Sequence, residues 1–276
     1  MRKEKEVKIL NVDAVNLPAV LERIGCKFQF DRIQRFVTYD FHPINSTFVQ
    51  LAYEIRDIGK KNNSVFQLRL ERFLHDLFDI VSDKDKKAII DELSVSYKSK
   101  NLFKVDFGYE KLDFFYSPIF TDIVEKYSIN PNKWIRIRTD GVTTTIATKK
   151  IDRATSLFVN NYDIHAVDET ELQISDFHTG IELMQQLGYF YRSYHEKRRV
   201  MYISNDGLEI DIDFWPMIPP YLEIEGEAVE AIYNMIDLLG FKKSDAIIIN
   251  TDDVYKIYGL NIYDFPELKL NGEVHT

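Results

Sequence analysis

The first residues alternate between charged and apolar positions, which is typical of a strand with one charged face. The even positions carry Glu4, Glu6 and Lys8, and the odd positions become apolar after Lys5. Successive side chains of a strand point to opposite faces, so the three even positions share one face. A helix is predicted over 17–24 and a β-branched, aromatic strand over 28–41. The chain is therefore expected to begin with a strand, a helix and a second strand.

The period of the apolar positions changes near Ser46 from two to about 3.6 residues. Helical stripes then continue to about residue 130, with Ser82 as a predicted N-cap. The strand pattern returns at Trp134. Further strands are predicted over 134–138, 142–151, 163–175, 189–194, 197–203, 208–214 and 221–224, with helices over 181–187 and 228–239. The pattern indicates an α+β fold that contains a mostly helical insertion over 46–130.

Several later strands carry charge of a single sign on one face. The basic positions are Arg136, Arg138, Lys197 and Arg199, and the acidic ones are Glu169, Glu171, Asp211, Asp213, Glu223 and Glu225. For one strand alone, a solvated face of an antiparallel sheet is the simpler interpretation. A solvated face usually mixes signs, however, because two carboxylates about 4 Å apart cost about 4 kcal/mol at an effective dielectric near 20. A divalent cation offsets an acidic cluster and a polyphosphate offsets a basic one.

Composition narrows the classes of protein that fit. The net charge of −9 argues against a nucleic-acid binder, and no run of apolar residues approaches the roughly 18 that a membrane helix needs. Cys26 is the only cysteine, so a disulfide within the chain is excluded and a cytoplasmic location is expected. There are 11 glycines and no glycine-rich phosphate loop. A bound phosphate would therefore be held by side chains.

At this point the motifs resemble those of the CYTH superfamily, the triphosphate tunnel metalloenzymes. The segments that carry the likeness are Glu4-x-Glu6-x-Lys8, Trp134-x-Arg136-x-Arg138, Thr148-Lys149-Lys150, Glu169-x-Glu171, Lys197-x-Arg199-x-x-Tyr202, Asp211-x-Asp213-x-Trp215-Pro216, Glu223-x-Glu225-Gly226 and Tyr255-x-x-Tyr258-Gly259. Their order and spacing are similar to those of bacterial proteins of the class IV adenylate cyclase-like subgroup. The likeness covers 1–45 and 131–276, which makes the tunnel domain discontinuous around the insertion.

The resemblance implies a closed, eight-stranded antiparallel β-tunnel flanked by helices, with a triphosphate and Mg²⁺ or Mn²⁺ inside. The implied phosphate ligands are Lys8, Arg35, Arg136, Arg138, Lys149, Lys197 and Arg199, with Arg32 as an alternative to Arg35. The implied metal ligands are Glu4, Glu6, Asp213, Glu223 and Glu225, of which Glu4, Glu6 and Asp213 are the catalytic candidates. Glu169, Glu171 and Asp211 are expected in a second tier. Lys149 is preferred to Lys150 because Lys150 shares a largely apolar face with Val142 and Ile146.

The resemblance leaves three functions open. A metal-dependent phosphohydrolase would act on inorganic tripolyphosphate, thiamine triphosphate or a nucleoside triphosphate. A class IV-type adenylate cyclase would use nearly the same ligands to convert ATP to cyclic AMP and pyrophosphate, but no adenine pocket can be identified. A non-catalytic polyphosphate- or nucleotide-binding regulator would not need the acidic positions. The expected partner is a small-molecule triphosphate, with neither nucleic acid nor membrane. The insertion is read as a surface subdomain, a lid or a homodimer surface.

Overall fold

The structure is a computed structural model that describes residues 5–55, 63–93, 96–98, 102–104, 109–151, 167–270 and 274–275. Its strands are β1 (Lys5–Ile9), β2 (Lys27–Asp40), β3 (Ser96–Lys98), β4 (Leu102–Lys104), β5 (Lys133–Thr139), β6 (Thr144–Ile151), β7 (Val167–Ile174), β8 (Phe190–Ile203), β9 (Glu209–Phe214), β10 (Tyr221–Gly226), β11 (Ala246–Ile247), β12 (Glu267–Leu268) and β13 (Val274–His275).

Its α-helices are α1 (Leu17–Arg23), α2 (Asn45–Ile55), α3 (Asn63–Ile80), α4 (Asp83–Leu93), α5 (Pro118–Lys126), α6 (Phe177–Gln186), α7 (Val229–Leu238) and α8 (Thr251–Ile257). Short 3₁₀ helices lie at Tyr109–Tyr116, Lys243–Asp245 and Ile262–Asp264. None of the helices within the described ranges has the length and apolarity that a membrane crossing requires.

The large sheet follows the order β11-β1-β10-β9-β8-β2-β5-β6-β7, and neighbours along this path are antiparallel. The predicted α+β class with an antiparallel sheet is therefore confirmed. The predicted closure into an eight-stranded tunnel is not observed. In the part of the chain that the structure describes, β7 pairs with β6 alone, and β11 occupies the outer edge of β1 where a closing strand would have to pair.

The apolar face of the sheet packs against helices in two places. Near β1, β9 and β10, residues such as Ile212 and Ile224 pack on Leu21 of α1 and Ile236 of α7. Near β2 and β5, a second cluster packs on Met184 of α6. Strand alternation turns the charged residues to the opposite side, which we call the charged face. Burying one face against helices thus leaves the other for chemistry.

The segment predicted as helical forms α2 to α5, which enclose a core rich in phenylalanine, including Phe48, Phe73 and Phe120. The predicted N-cap at Ser82 is confirmed, because its Oγ accepts a hydrogen bond from the Asp85 amide at 3.3 Å. Sequence reasoning missed the short β3–β4 hairpin within this segment. The domain boundaries proposed above stay a prediction.

Candidate functional site

Three carboxylates meet where β1 pairs with β10. Glu6 lies opposite Glu225, and Lys8 lies opposite Glu223. One oxygen from each of Glu6, Glu223 and Glu225 lies within 4.8 Å of the other two. We call these residues the acidic trio. Glu223 is buried, whereas the Glu6 side chain keeps 43% of its exposure, so the trio is open to solvent on one side.

Lys8 bridges two members of the acidic trio. Its Nζ donates to Glu6 at 2.5 Å and is 2.9 Å from Glu223. Burial alone would lower the pKa of Lys8, but Glu223 and Glu6 together raise it well above its usual value. The pKa of Glu223 is held low in turn, because Lys8, Arg199 and Lys197 outweigh the effect of burial. One ammonium thus stays charged and offsets part of the negative charge of the trio.

A buried network of ion pairs joins β8 to β9 and β10. Arg199 donates to Asp213 through Nε at 2.7 Å and Nη2 at 2.8 Å, and to Glu223 at 3.0 Å. Lys197 Nζ donates to Asp213 at 2.6 Å. Both oxygens of Asp213 are therefore occupied by cations, and this residue is fully buried. The structure does not bring Asp213, which the resemblance implied as a metal ligand, into the acidic trio.

Asp211 is the carboxyl group in this network with incomplete pairing. It forms an ion pair with Arg199 and is 1% exposed, while its Oδ1 has no hydrogen-bond partner among the described residues. Burial, with the nearby charges of Asp213, Glu209 and Glu223, raises the pKa of Asp211 to about 8 despite Arg199. Burial is thus the main reason that Asp211 holds its proton, and the neighbouring carboxylates add to the effect.

A basic group lies across the sheet on β5 and β6. Arg136 and Arg138 share the charged face with Lys149, and Glu169 and Glu171 on β7 are their acidic neighbours. Lys149 Nζ is 2.7 Å from Glu169, whereas the nearest contacts from Arg136 to Glu169 and from Arg138 to Glu171 are longer, at 3.8 and 3.5 Å. The arginines therefore keep hydrogen-bonding capacity that these carboxylates do not saturate.

Crowding of these cations lowers their proton affinity. Burial and then the charge of Arg136 lower the pKa of Lys149 to about 8. Burial and then the charge of Arg138 lower the pKa of Arg136 to about 10, and Arg199 across the sheet adds to the effect. Lys149, preferred to Lys150 from the sequence, does lie on the same face as Arg136. A bound anion would relieve this mutual repulsion.

Two sequence-predicted residues are not placed in the site. Arg35 pairs with Thr139 and Glu196 on the opposite face of β2, and its Nε is 3.4 Å from Glu196. Arg32, the alternative, pairs with Arg199 on the charged face, where Nη1 is 2.6 Å from Asp140. The odd positions of β2 face away from the charged face, and Arg35 lies among them. Glu4 lies outside the described residues.

Sequence reasoning missed aromatic and amide groups on the charged face. Phe36 stacks on Trp215 with ring centroids 6.0 Å apart, and Lys197 Nζ lies 5.9 and 5.5 Å from the two rings. Gln34 lies directly opposite Lys197 and is buried. The alternation of β2 could have predicted this, because it places Gln34 and Phe36 on the same side of the strand as Arg32.

The carboxyl-terminal segment (residues 251–266) covers one end of the charged face. Tyr255 donates through its hydroxyl to the Pro216 carbonyl at 2.7 Å and packs edge-on against Trp215. His195 Nε2 is 3.0 Å from the Phe265 carbonyl, and because a carbonyl can only accept, Nε2 carries the proton. Burial lowers the pKa of His195. These contacts hold the carboxyl-terminal segment against Trp215 and His195.

The helical insertion packs against this same carboxyl-terminal segment. Tyr53 donates its hydroxyl toward the Asp252 and Leu260 carbonyls, at 3.2 and 3.4 Å. Gln50 Nε2 donates to the Tyr263 carbonyl at 2.8 Å. Helix α2 is thus linked to the same segment whose Tyr255 and Phe265 contact Trp215 and His195.

Comparison with known proteins gives structural likeness alone. No protein-family model and no curated protein matches the sequence. A conserved hypothetical protein from Pyrococcus furiosus is similar over 90% of this chain and 97% of its own, at 15% identity and a TM-score of 0.47. A candidate adenylate cyclase from Vibrio parahaemolyticus is similar over 92% and 98%, at 8% identity and a TM-score of 0.48.

A Hippeastrum protein, described as a candidate adenylyl cyclase with a dominant triphosphatase activity, is similar over 93% of this chain and 95% of its own. Its identity is 9% and the TM-score is 0.41. Likenesses at these TM-scores carry no argument for family or activity, so the function rests on the residues of the site itself.

Proposed function

We propose that this chain is a divalent-metal-dependent phosphohydrolase that acts on a triphosphate bound along the charged face. The observation that carries the proposal is the presence on one face of three carboxylates within 4.8 Å of one another and a basic group whose arginines are not saturated by carboxylates. A metal triphosphate complements both, since hard cations prefer oxygen ligands and guanidinium groups bind phosphate oxygens in pairs. The resemblance of the sequence motifs to the CYTH family supports the same function.

The acidic trio fits Mg²⁺ or Mn²⁺. Both ions prefer carboxylate and water oxygens, and ligands about 2.1 Å from one Mg²⁺ are at most about 4.2 Å apart. The separation of 4.8 Å or less within the trio is close to that limit, so the site would be completed by movement of these side chains together with Lys8, whose Nζ pairs with Glu6 and Glu223. Glu4, which lies outside the described residues, stays a further ligand predicted from the resemblance.

The residues of the chain divide the work of phosphoryl transfer. A bound cation supplies neutralisation of phosphate oxygens and acidification of water. Arg136, Arg138 and Lys149 would hold the phosphates in line and stabilise the charge that spreads over the transferred phosphoryl group. Lys8 and Arg199 hold Glu223 in place, and Lys8 also pairs with Glu6. No covalent intermediate with the protein is required.

The test is a product assay with purified protein and Mg²⁺ or Mn²⁺. Tripolyphosphate, thiamine triphosphate and ATP are supplied separately, and orthophosphate, pyrophosphate and cyclic AMP are measured. We expect orthophosphate from at least one substrate without cyclic AMP. Glu6→Gln should reduce the rate strongly, whereas Glu230→Gln, an exposed glutamate on α7, should not.

The other outcomes identify the alternatives. Cyclic AMP with stoichiometric pyrophosphate from ATP would replace hydrolysis by a cyclase. Binding of tripolyphosphate without any product would indicate a regulator. Full activity of Glu6→Gln would refute the metal assignment for either enzyme.

A further inference from the structure

Gln34 lies on the charged face, and the ion pairs described above do not explain its role. It lies in the middle of β2, opposite Lys197 of β8 and between Arg32 and Phe36 on its own strand. Its side chain is 5% exposed, and its Oε1 has no hydrogen-bond partner among the described residues. A buried acceptor left unpaired costs about 1–3 kcal/mol, so a position that keeps one is expected to serve a bound group.

The surroundings of Gln34 are cationic on both sides. Lys197 and Arg199 lie along the adjacent strand β8, and Arg138 lies opposite Phe36 on β5, two residues further along. Arg32 is already paired with Asp140. Gln34 therefore lies between the buried ion network and the basic group, along the path that a bound triphosphate would follow.

The chemistry of the amide differs from that of its charged neighbours. Lysine and arginine side chains only donate hydrogen bonds, and an ionised carboxylate only accepts. An amide offers both, through Nε2–H and Oε1. Water that attacks a phosphoryl group needs an acceptor for one of its hydrogens so that its lone pair faces phosphorus, and glutamine has this role in other phosphoryl-transfer enzymes. A carboxylate at the same place would repel the phosphate.

We infer that Gln34 is a catalytic residue that orients the attacking water. This inference rests on the proposed phosphohydrolase function. Oε1 accepts one hydrogen of the water and Nε2 donates to an oxygen of the terminal phosphate. The water oxygen forms a bond to the terminal phosphorus as the bridging P–O bond breaks, and the bridging oxygen leaves with its electron pair on the diphosphate. One proton of the water passes to an oxygen of the new orthophosphate, so the amide is unchanged.

Two substitutions of Gln34 distinguish the loss of its hydrogen-bonding groups from the addition of a negative charge. Gln34→Met keeps the length of the side chain and removes both hydrogen-bonding groups, whereas Gln34→Glu keeps an acceptor and adds negative charge. Gln29→Met is the matched control, because Gln29 is exposed on the same strand and donates to the Lys27 carbonyl. The rates of orthophosphate release from tripolyphosphate with Mg²⁺ give kcat and KM. Calorimetric titration with imidotriphosphate, which is not hydrolysed, gives binding, and thermal melts report folding.

We expect Gln34→Met to lower kcat on the order of 10²-fold while the Kd for imidotriphosphate stays within about threefold, as for loss of alignment without loss of binding. Gln34→Glu should raise KM and Kd at least tenfold with a smaller loss of kcat, and Gln29→Met should match the wild type. A wild-type kcat in Gln34→Met, or a loss of kcat matched by an equal loss of binding, would overturn the inference.

If Gln34→Met does not fold, the inference is tested with Gln34→Glu alone. A wild-type KM in Gln34→Glu would then contradict the proposed role of Gln34. A wild-type protein that hydrolyses none of the triphosphates refutes the proposed function and this inference with it. A wild-type kcat in Gln34→Met, in a protein that does hydrolyse a triphosphate, refutes the role of Gln34 and leaves the proposed function standing.

Discussion

Lys149→Met is expected to stabilise the unliganded fold while weakening triphosphate binding. Lys149 is 15% exposed, its Nζ is 2.7 Å from Glu169, and its pKa lies at about 8 because of burial and the nearby charge of Arg136. The fall from the ordinary value of 10.5 corresponds to about 3 kcal/mol that opposes folding while the ammonium is charged. Methionine keeps most of the apolar stem and removes that charge.

The pH dependence of this effect has a definite sign. The folded-state pKa of Lys149 lies below the unfolded value, so the unfolded chain binds more protons between pH 8 and 10.5 and wild-type stability rises across that window. The cost of the charge is fully present below about pH 8 and is lost as the pH rises. Lys149→Met should therefore exceed the wild type by about 1–3 kcal/mol at pH 7, and this gap should close near pH 10.5.

The assay is urea denaturation of both proteins at several pH values from 7 to 10.5, compared as differences so that other titrating groups cancel. Lys150→Met, on the other face of β6, is the control and should show no such closing gap. A Lys149→Met protein less stable than the wild type at pH 7, or a gap that does not change with pH, would refute the account of a strained cationic group.

Three further predictions concern the trio, the choice of face and the insertion. Glu225→Gln should weaken Mn²⁺ binding at least tenfold in calorimetry, and an affinity equal to that of a Glu227→Gln control would contradict the assignment. Arg138→Ala should raise the Kd for tripolyphosphate about 10–100-fold, because a hydrogen bond to a charged group is lost. Arg35→Ala should leave this Kd unchanged. Equal effects of the two substitutions would show that the two faces of the sheet are misassigned. Tyr53→Phe should cost about 1 kcal/mol and speed hydrogen exchange of the α8 amides, and unchanged exchange would show that the insertion does not hold the carboxyl-terminal segment.

Local alternation explains what could be predicted from the sequence. The charged sides of β9 and β10 follow directly from a period of two, so the shared face of Glu223 and Glu225 could be predicted. The same rule chose Lys149 over Lys150. For Arg35 the strand pattern alone left the register uncertain, and the pairing of β2 with β8 was needed to show that Arg32 is the residue on the charged face.

Long-range pairing explains what could not be predicted. Closure of the sheet depends on which strand occupies the edge of β1, and the two-residue strand β11 that does so is too short to leave a periodic signal. The ion pairs from Lys197 and Arg199 occupy both oxygens of Asp213, which alternation places on the right face without showing its partners. The contacts of α2 with the carboxyl-terminal segment join residues about 200 positions apart, and no local pattern encodes them.

The most direct test of the central claim is a crystal structure of the protein with Mn²⁺ and imidotriphosphate. We expect an anomalous manganese peak about 2.1 Å from carboxylate oxygens of Glu6, Glu223 and Glu225, with phosphate oxygens in hydrogen-bond contact with Arg138 and Lys149. Manganese or triphosphate bound away from the charged face, with Glu6 and Glu223 still paired to Lys8, would contradict it.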